Sequence, residues 1–118
     1  MAWRIETDVQ PGYLIIRILG QADARVSGEI IAGVFREIAS HHCSSLLIDI
    51  RGVEGRVGVL ETFNIVSSYP SIQGLRAAIV DRPEHSSWFE FYETVSVNRG
   101  YQNKVFTDMD EAIQWLTA

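Results

Sequence analysis

The hydrophobic pattern at the start of the chain predicts two strands joined by a tight turn. Residues 3–8 alternate apolar and polar side chains, which is typical of a strand with one buried face. The turn-forming triplet Gln10-Pro11-Gly12 follows, and residues 13–19 form a nearly continuous apolar run interrupted by Arg17. Because the loop is short, we expect an antiparallel hairpin at one edge of a sheet.

The pattern then takes the period of a helix. From about residue 23 to residue 40 a helix is predicted, with Asp23 as its N-cap. Its expected buried face consists of Ile31, Val34, Phe35 and Ile38. A shorter helix is predicted at residues 59–66. Another should begin near Pro83 and end before Gly100, burying Trp88, Phe91, Tyr92 and Val95.

A last helix is predicted to begin at Asp108, since Glu111 stands at the capping-box spacing. Its expected buried residues are Met109, Ala112, Ile113 and Leu116. Short apolar runs at residues 45–50, 75–80 and 103–106 are predicted strands. The order ββαβαβαβα indicates a single α/β domain over residues 1–118, with about four helices. Its mixed sheet should have about five strands, the first antiparallel and the rest mainly parallel.

Composition and charge narrow the classes of partner. The chain of 118 residues has 15 Asp and Glu against 10 Lys and Arg, a formal charge of −5. This acidic excess argues against binding to nucleic acid or to an anionic membrane. The chain lacks an apolar run of about 20 residues and a signal-peptide pattern, so we expect a cytoplasmic protein without membrane insertion. The single Cys43 agrees with a reducing compartment.

Two segments resemble the STAS domain, in its SpoIIAA-like, anti-sigma-factor-antagonist branch. Residues 46–53, Leu-Leu-Ile-Asp-Ile-Arg-Gly-Val, are similar to the STAS strand that ends in Asp followed by Gly-Val. Residues 105–116 are similar to the C-terminal strand and helix of that branch. The resemblance implies a regulatory domain that binds other proteins. The branch is grouped with the lipid-binding CRAL-TRIO domains, which keeps a ligand carrier open as an alternative.

The chain departs from that family at the start of the second helix. Typical antagonists place a phosphorylatable Ser there, preceded by Asp; counting from Asp49, the corresponding positions hold Val57 and Gly58. A phosphoserine switch acts by adding nearly two negative charges at a defined surface. We therefore expect partner binding without that switch.

The candidate ligand or partner surface lies where the parallel strands end, because open α/β sheets bind ligands beyond the carboxyl ends of their strands. Charged side chains and a glycine follow two predicted strands: Asp49, Arg51, Glu54, Arg56 and Gly58 after one, and Asp81, Arg82 and His85 after the other. The N–H groups of the turn at residues 55–58 could hold a small anion. The simpler interpretation is that these residues solvate loops and cap helices.

The helix at residues 88–93 carries more aromatic surface than one buried stripe needs. Trp88 has core spacing, whereas Phe89 points away from the centre of the stripe. Phe89 either packs at the margin of the core or belongs to an exposed patch for a partner or an apolar ligand. Glu90 and Glu93, three residues apart, are interpreted as a solvated helix face.

The sequence gives little indication of a catalytic site or a metal site. His41, His42 and Cys43 are adjacent, so they cannot easily converge on one ion. Asp81, His85 and Ser86 are too close in sequence for an obvious relay, and no nucleophile elbow presents a serine. We expect no enzymatic activity, cofactor or metal. The leading hypothesis is a STAS-like regulatory module whose protein partner could be a second copy of itself; the alternative is a carrier or sensor of a small apolar ligand or anion.

Overall fold

A five-stranded mixed sheet forms the framework of the protein. The computed structural model describes residues 3–21, 23–55, 74–98 and 102–118. Strands β1 (Trp3–Gln10) and β2 (Tyr13–Gln21) pair antiparallel, from Trp3 opposite Gly20 to Gln10 opposite Tyr13. Gly12 in the turn has φ +86°, a left-handed conformation that glycine adopts without steric cost. The predicted edge hairpin is confirmed.

The remaining strands run parallel to β2, as predicted. They are β3 (Ser45–Glu54), β4 (Arg76–Val80) and β5 (Gln102–Phe106), and the spatial order of the sheet is β1-β2-β3-β4-β5. Each consecutive pair from β2 to β5 is parallel. The carboxyl ends of these four strands therefore lie at one edge of the sheet, which positions the candidate site.

The described residues contain three α-helices: α1 (Ala24–His41), α2 (Ser86–Asn98) and α3 (Met109–Thr117). A 3₁₀ turn at Pro83–His85 leads into α2. The prediction of four helices is not matched within these ranges, because the helix expected at residues 59–66 lies outside the described residues. Arg56 and Gly58 lie outside them too. None of the three helices is long and apolar enough to cross a bilayer.

Strand β3 is longer than the sequence indicated. The apolar run predicts an end at Ile50, but the strand continues to Glu54 because the end of β2 provides a pairing partner. The register shifts between Arg17 and Leu19, after which Leu19 pairs with Gly52 and Gly20 with Val53. Such a bulge places one extra residue on β3. As a result Val53 lies on the same side of the sheet as α1, where it is buried. Asp49 and Arg51 are thus strand residues, not loop residues.

Both predicted caps are confirmed. Asp23 accepts hydrogen bonds from the N–H groups of Arg25 and Val26, each at 2.9 Å, and Asp108 accepts one from Asp110 at 3.0 Å. The buried face of α1 differs by one position from the prediction: Ile30 is buried and Ile31 is only partly so. The face runs through Val26, Ile30, Val34 and Ile38. This register brings Gly33 against β1.

Gly33 is needed because the helix approaches the sheet closely there. A Cβ atom at this position would lie 2.8 Å from Ile5 Cδ1. Helices α1 and α2 cover one side of the sheet, packing on Leu14, Ile16, Leu46, Ala77 and Ile79. Helix α3 covers the other, with Ala112 and Leu116 against Ile15, Leu47, Ala78 and Val80. Helix α3 lies over β3, β4 and β5.

Candidate functional site

The first predicted pair, Asp49 and Arg51, forms a bidentate ion pair on the α3 side of β3. Arg51 Nε lies 3.0 Å from Asp49 Oδ1 and Arg51 Nη2 lies 2.9 Å from Oδ2. The backbone N–H of Arg51 also donates to Asp49 Oδ1, at 3.1 Å. Both residues lie within β3, and the register shift against β2 falls between Asp49 and Gly52, so the two side chains meet at a bulge.

The pKa of Asp49 reflects two opposing effects. Burial of the carboxyl group would raise its pKa, since Asp49 is only 7% exposed. The hydrogen bonds from Arg51, with the positive charges of Arg51 and Arg17, outweigh burial and hold the pKa below its ordinary value. The same hydrogen bonds raise the pKa of Arg51. Asp49 is therefore a stably ionised carboxylate, which suits it poorly to proton transfer near neutral pH.

Charges of alternating sign continue from this pair across the neighbouring strands. Glu6 on β1 stands opposite Arg17 on β2, and Arg17 stands opposite Asp49 on β3. Directly opposed residues share a side of the sheet, so these charges lie on the same side as α3. Each has an opposite charge beside it, so this row stabilises itself and offers little net charge to a ligand.

The second predicted group meets at the carboxyl ends of β3 and β4. Asp81 has no exposed surface; its N–H donates to Phe106 O at 2.9 Å, and its Oδ1 accepts the N–H of Arg82 at 2.7 Å. The Arg82 side chain extends instead towards β3. Its Nη2 donates to Val53 O at 3.3 Å, and thereby ties the end of β3 to the segment after β4.

Arg82 also contacts both polar residues of the 3₁₀ turn. Nη2 lies 3.2 Å from His85 Nε2, which accepts this hydrogen bond when that nitrogen carries no proton. Nε lies 3.4 Å from Glu84 Oε1, an ion pair without hydrogen-bond geometry. Glu54 is exposed directly after Val53. We call the set Val53, Glu54, Arg82, Glu84 and His85 the Arg82 corner.

The aromatic residues of α2 begin one turn beyond this corner. The Trp88 and Tyr92 rings are stacked, with centroids 4.9 Å apart, and Phe89 meets Trp88 edge-on at 6.5 Å. Phe89 is partly buried and packs, like Trp88, against the core formed by Ile79, Tyr92, Val95 and Val105. This packing is that of the core margin, the first of the two interpretations of Phe89.

Polar contacts on the inner face of α2 were not anticipated. Asn103 Nδ2 donates to the Tyr92 hydroxyl at 2.9 Å and lies 3.5 Å from Oγ of the fully buried Ser96. Glu93 accepts the backbone N–H of Val105 at 2.7 Å. The interpretation of Glu93 as a solvated residue is therefore wrong, because its carboxylate bonds to strand β5. Asn103 and Val105 are two residues apart on a predicted strand, and this spacing in the sequence already indicates that they face the same helix.

The candidate residues thus fall into separate places. Asp49 and Arg51 lie on the α3 side of the sheet, whereas Arg82 and His85 join Glu54 at its carboxyl edge, with Trp88 and Phe89 next along α2. His85 contacts the Arg82 guanidinium and Asp81 accepts a backbone N–H, an arrangement that gives no support to a relay with Ser86. Within the described ranges no three His, Cys, Asp or Glu side chains are grouped as metal ligands.

The architecture is a SpoIIAA-like fold. It matches an anti-sigma factor antagonist from Mycobacterium paratuberculosis with a TM-score of 0.67 and 12% identity, covering 98% of this chain and 95% of that one. It also matches an uncharacterised protein with a SpoIIAA-like fold from Shewanella loihica, with a TM-score of 0.62, 17% identity and coverage of 98% and 94%. No family model and no curated protein matches the sequence. The resemblance in fold is confirmed, and at these identities it concerns the fold alone.

Proposed function

We propose that this chain is a non-enzymatic regulatory module that binds a protein partner through the Arg82 corner, without a phosphoserine switch. The observation that carries the proposal is the likeness in fold, over nearly the whole chain, to a protein named for antagonising an anti-sigma factor. A domain of this kind acts by contact, so its function requires a surface and not a catalytic cleft.

The Arg82 corner has the properties of such a surface. Arg82 is held by contacts to β3 and to the 3₁₀ turn, so its guanidinium is preorganised for a partner. Glu84 beside it has a side chain that is 66% exposed, and Glu54 is exposed as well. Trp88, one turn along α2 from His85, is partly exposed, and aromatic and Arg side chains are frequent anchors of protein interfaces.

The absence of a phosphoserine switch is proposed from the sequence. Val57 and Gly58 stand where the family's Asp-Ser pair would be expected, and neither can accept a phosphate. Binding would then be regulated by partner concentration or by a modification elsewhere. The alternative function, a carrier of an apolar ligand, requires a cavity beneath α2. Tyr92 and Val95 instead pack directly against Ile79 and Val105, which favours the interaction module.

Site-specific crosslinking in the native host tests the proposal. A photoreactive amino acid at position 84 should give a discrete protein adduct, because this side chain lies exposed beside Arg82. The same amino acid at position 111, exposed on α3, is the matched control. We expect the adduct at position 84 to be lost on Arg82→Met. No adduct, or the same adduct from both positions, would contradict binding at the corner.

The proposed lack of a phosphoserine switch has its own measurement. The intact mass of the protein purified from its host should not change on phosphatase treatment, and the yield of the crosslinked adduct should not change either. A phosphate on this chain that alters the adduct yield would show that the switch survives on another hydroxyl.

A further inference from the structure

The two edges of the sheet differ in how their backbones are protected. At the β5 edge the strand has five residues, and its outward N–H at Val105 is accepted by Glu93 at 2.7 Å. At the β1 edge the strand has eight residues. Within the described residues, no backbone or side-chain hydrogen bond reaches the outer backbone of β1. An open edge of this length is a template for adding another strand.

The hairpin fixes which groups of β1 point outward. Gln10 and Tyr13 flank a two-residue turn, so they form the hydrogen-bonded closing pair. Pairs alternate along an antiparallel ladder, so every second residue of β1 directs its N–H and C=O away from β2. These outward residues are Trp3, Ile5, Thr7 and Val9. Their side chains lie on the α1 side of the sheet.

Val9 marks part of this edge as incompletely covered. Helix α1 packs against Trp3 and Ile5, and Trp3 Nε1 lies 3.4 Å from Glu29 Oε2. Val9, at the other end of the strand, is 66% exposed, one of the two large apolar side chains most exposed in the described chain. A strand added beside β1 would cover this side chain.

The charges of β1 are complementary to those of a second β1 in antiparallel alignment. Arg4, Glu6 and Asp8 lie on the α3 side and are exposed. With a two-fold axis at Glu6, Arg4 stands opposite Asp8 of the second copy at both ends. The same alignment places Trp3 opposite Val9 of the second copy. Residues 3 to 9 of each chain would then form the paired segment. Its one unfavourable contact, Glu6 against itself, is moderated by Arg4, whose Nε lies 3.1 Å from Glu6 Oε2.

We propose that two copies of this chain associate through antiparallel β1–β1 pairing about Glu6, extending the sheets into one continuous ten-stranded sheet, twice the five of one chain. In this alignment Ile5 and Thr7 exchange backbone hydrogen bonds with Thr7 and Ile5 of the second copy, as do Trp3 and Val9 with Val9 and Trp3. This self-association surface lies at the opposite edge of the sheet from β5 and does not use the Arg82 corner.

A charge-exchange experiment tests the pairing and its alignment together. Sedimentation across nanomolar to high micromolar protein should show wild type moving from 13.3 kDa to twice that mass. R4E and D8K each place like charges opposite each other twice, so each alone should weaken dimerisation about tenfold or more. Mixed together they should form a heterodimer. The carboxylate introduced by R4E then faces the ammonium introduced by D8K, and the Asp8 retained in the first chain faces the Arg4 retained in the second.

Two further variants distinguish this alignment from other alignments of β1 and from pairing at the β5 edge. E6Q removes the single like-charge contact and should tighten the dimer, the opposite direction from R4E and D8K. K104E, on the β5 edge, is the matched control and should leave the dimer unchanged. A chain that stays monomeric at every concentration would overturn the proposal. So would a dimer indifferent to R4E and D8K, or one in which R4E is rescued by E6K and not by D8K.

Discussion

Two pairs of Asp and Arg, one within β3 and one directly after β4, look alike in the sequence, yet they are built differently. Asp49 and Arg51 bind each other with two side-chain hydrogen bonds on the α3 side of β3. Asp81 and Arg82 are joined through the backbone N–H of Arg82, and the Arg82 side chain reaches Val53 O and His85. Asp49 and Arg51 thus satisfy each other's hydrogen-bonding groups. The Arg82 side chain, in contrast, lies at the carboxyl ends of β3 and β4.

The difference follows from strand position. Arg51 follows Asp49 by two residues at the β3 bulge, so its backbone N–H and its guanidinium can both fold back on the Asp49 carboxylate. Adjacent residues point to opposite sides, so Arg82 cannot do the same with Asp81. The Asp49–Arg51 pair neutralises itself within β3, so we expect it to contribute to stability. The Arg82 guanidinium contacts a backbone carbonyl, His85 and the exposed Glu84, and we propose that it also binds a partner. The following predictions test this division between a stabilising pair and a binding pair.

The largest effect is expected at Asp81. Asp81→Ala removes the acceptor of the Arg82 N–H and leaves a void at a position with no exposed surface, so we expect a loss of about 3 kcal/mol in the free energy of unfolding. Urea unfolding measures it. Glu90→Ala, at an exposed position of α2, serves as control and should change stability by less than about 0.5 kcal/mol. Equal effects of the two substitutions would contradict a structural role for Asp81.

Asp49→Asn should be the next largest effect, with a defined dependence on pH. It keeps the shape but removes the charge that Arg51 binds, so we expect a loss of about 1–2 kcal/mol at neutral pH. The folded-state pKa of Asp49 is lowered from 3.8, so its contribution is present above 3.8 and is lost as the pH falls through the folded-state pKa. Unfolding in urea over an acidic pH series should show wild type and variant converging only at low pH. A gap that is independent of pH would refute the ion-pair explanation.

Arg51 should be less sensitive than Asp49, because its side chain is 44% exposed and Arg17 still supports the carboxylate. Arg51→Met is expected to cost about 1 kcal/mol, and Arg51→Lys less, because Lys keeps the positive charge although a single ammonium cannot reproduce the two-pronged contact. Thermal unfolding of both variants beside wild type gives the order. If Lys proves as damaging as Met, the positive charge contributes nothing and the packing of the Arg stem explains the loss.

Arg82→Met should have the smallest effect on stability, about 0.5 kcal/mol, because its long contacts to Val53 O and His85 Nε2 and a partly exposed ion pair are lost. The variant should keep its fold while the crosslink at position 84 disappears. Circular dichroism and urea unfolding check the first expectation. A severe loss of stability would move Arg82 from the binding group to the structural one.

Much of the architecture could be predicted from local pattern. The hairpin, the parallel strands after it, the caps Asp23 and Asp108 and the buried face of α3 all depend on residues close together in sequence. The end of β3 could not be predicted in this way. Its last residues are held by β2 through a register shift, a contact between distant segments that leaves no periodic signal.

The sequence indicated which charged residues are candidates for a site, but it did not indicate which of them contact one another. The expectation of a site beyond the strand ends grouped Asp49 and Arg51 with Arg82 and His85, whereas the structure places the two pairs apart. The contact that defines the Arg82 corner joins residues 29 positions apart. The bond from Val105 to Glu93 spans 12 positions, and a carboxylate on a helix surface gives no indication of it.

The most direct test of the account compares the two arginines in binding. With the partner identified by crosslinking at position 84, calorimetric affinities of wild type, Arg82→Met and Arg51→Met should be measured under conditions where all three are folded. We predict that Arg82→Met weakens binding about tenfold or more, while Arg51→Met stays within about twofold of wild type. Equal losses, or a loss confined to Arg51→Met, would place the binding surface on the α3 side of the sheet and contradict the assignment of the Arg82 corner.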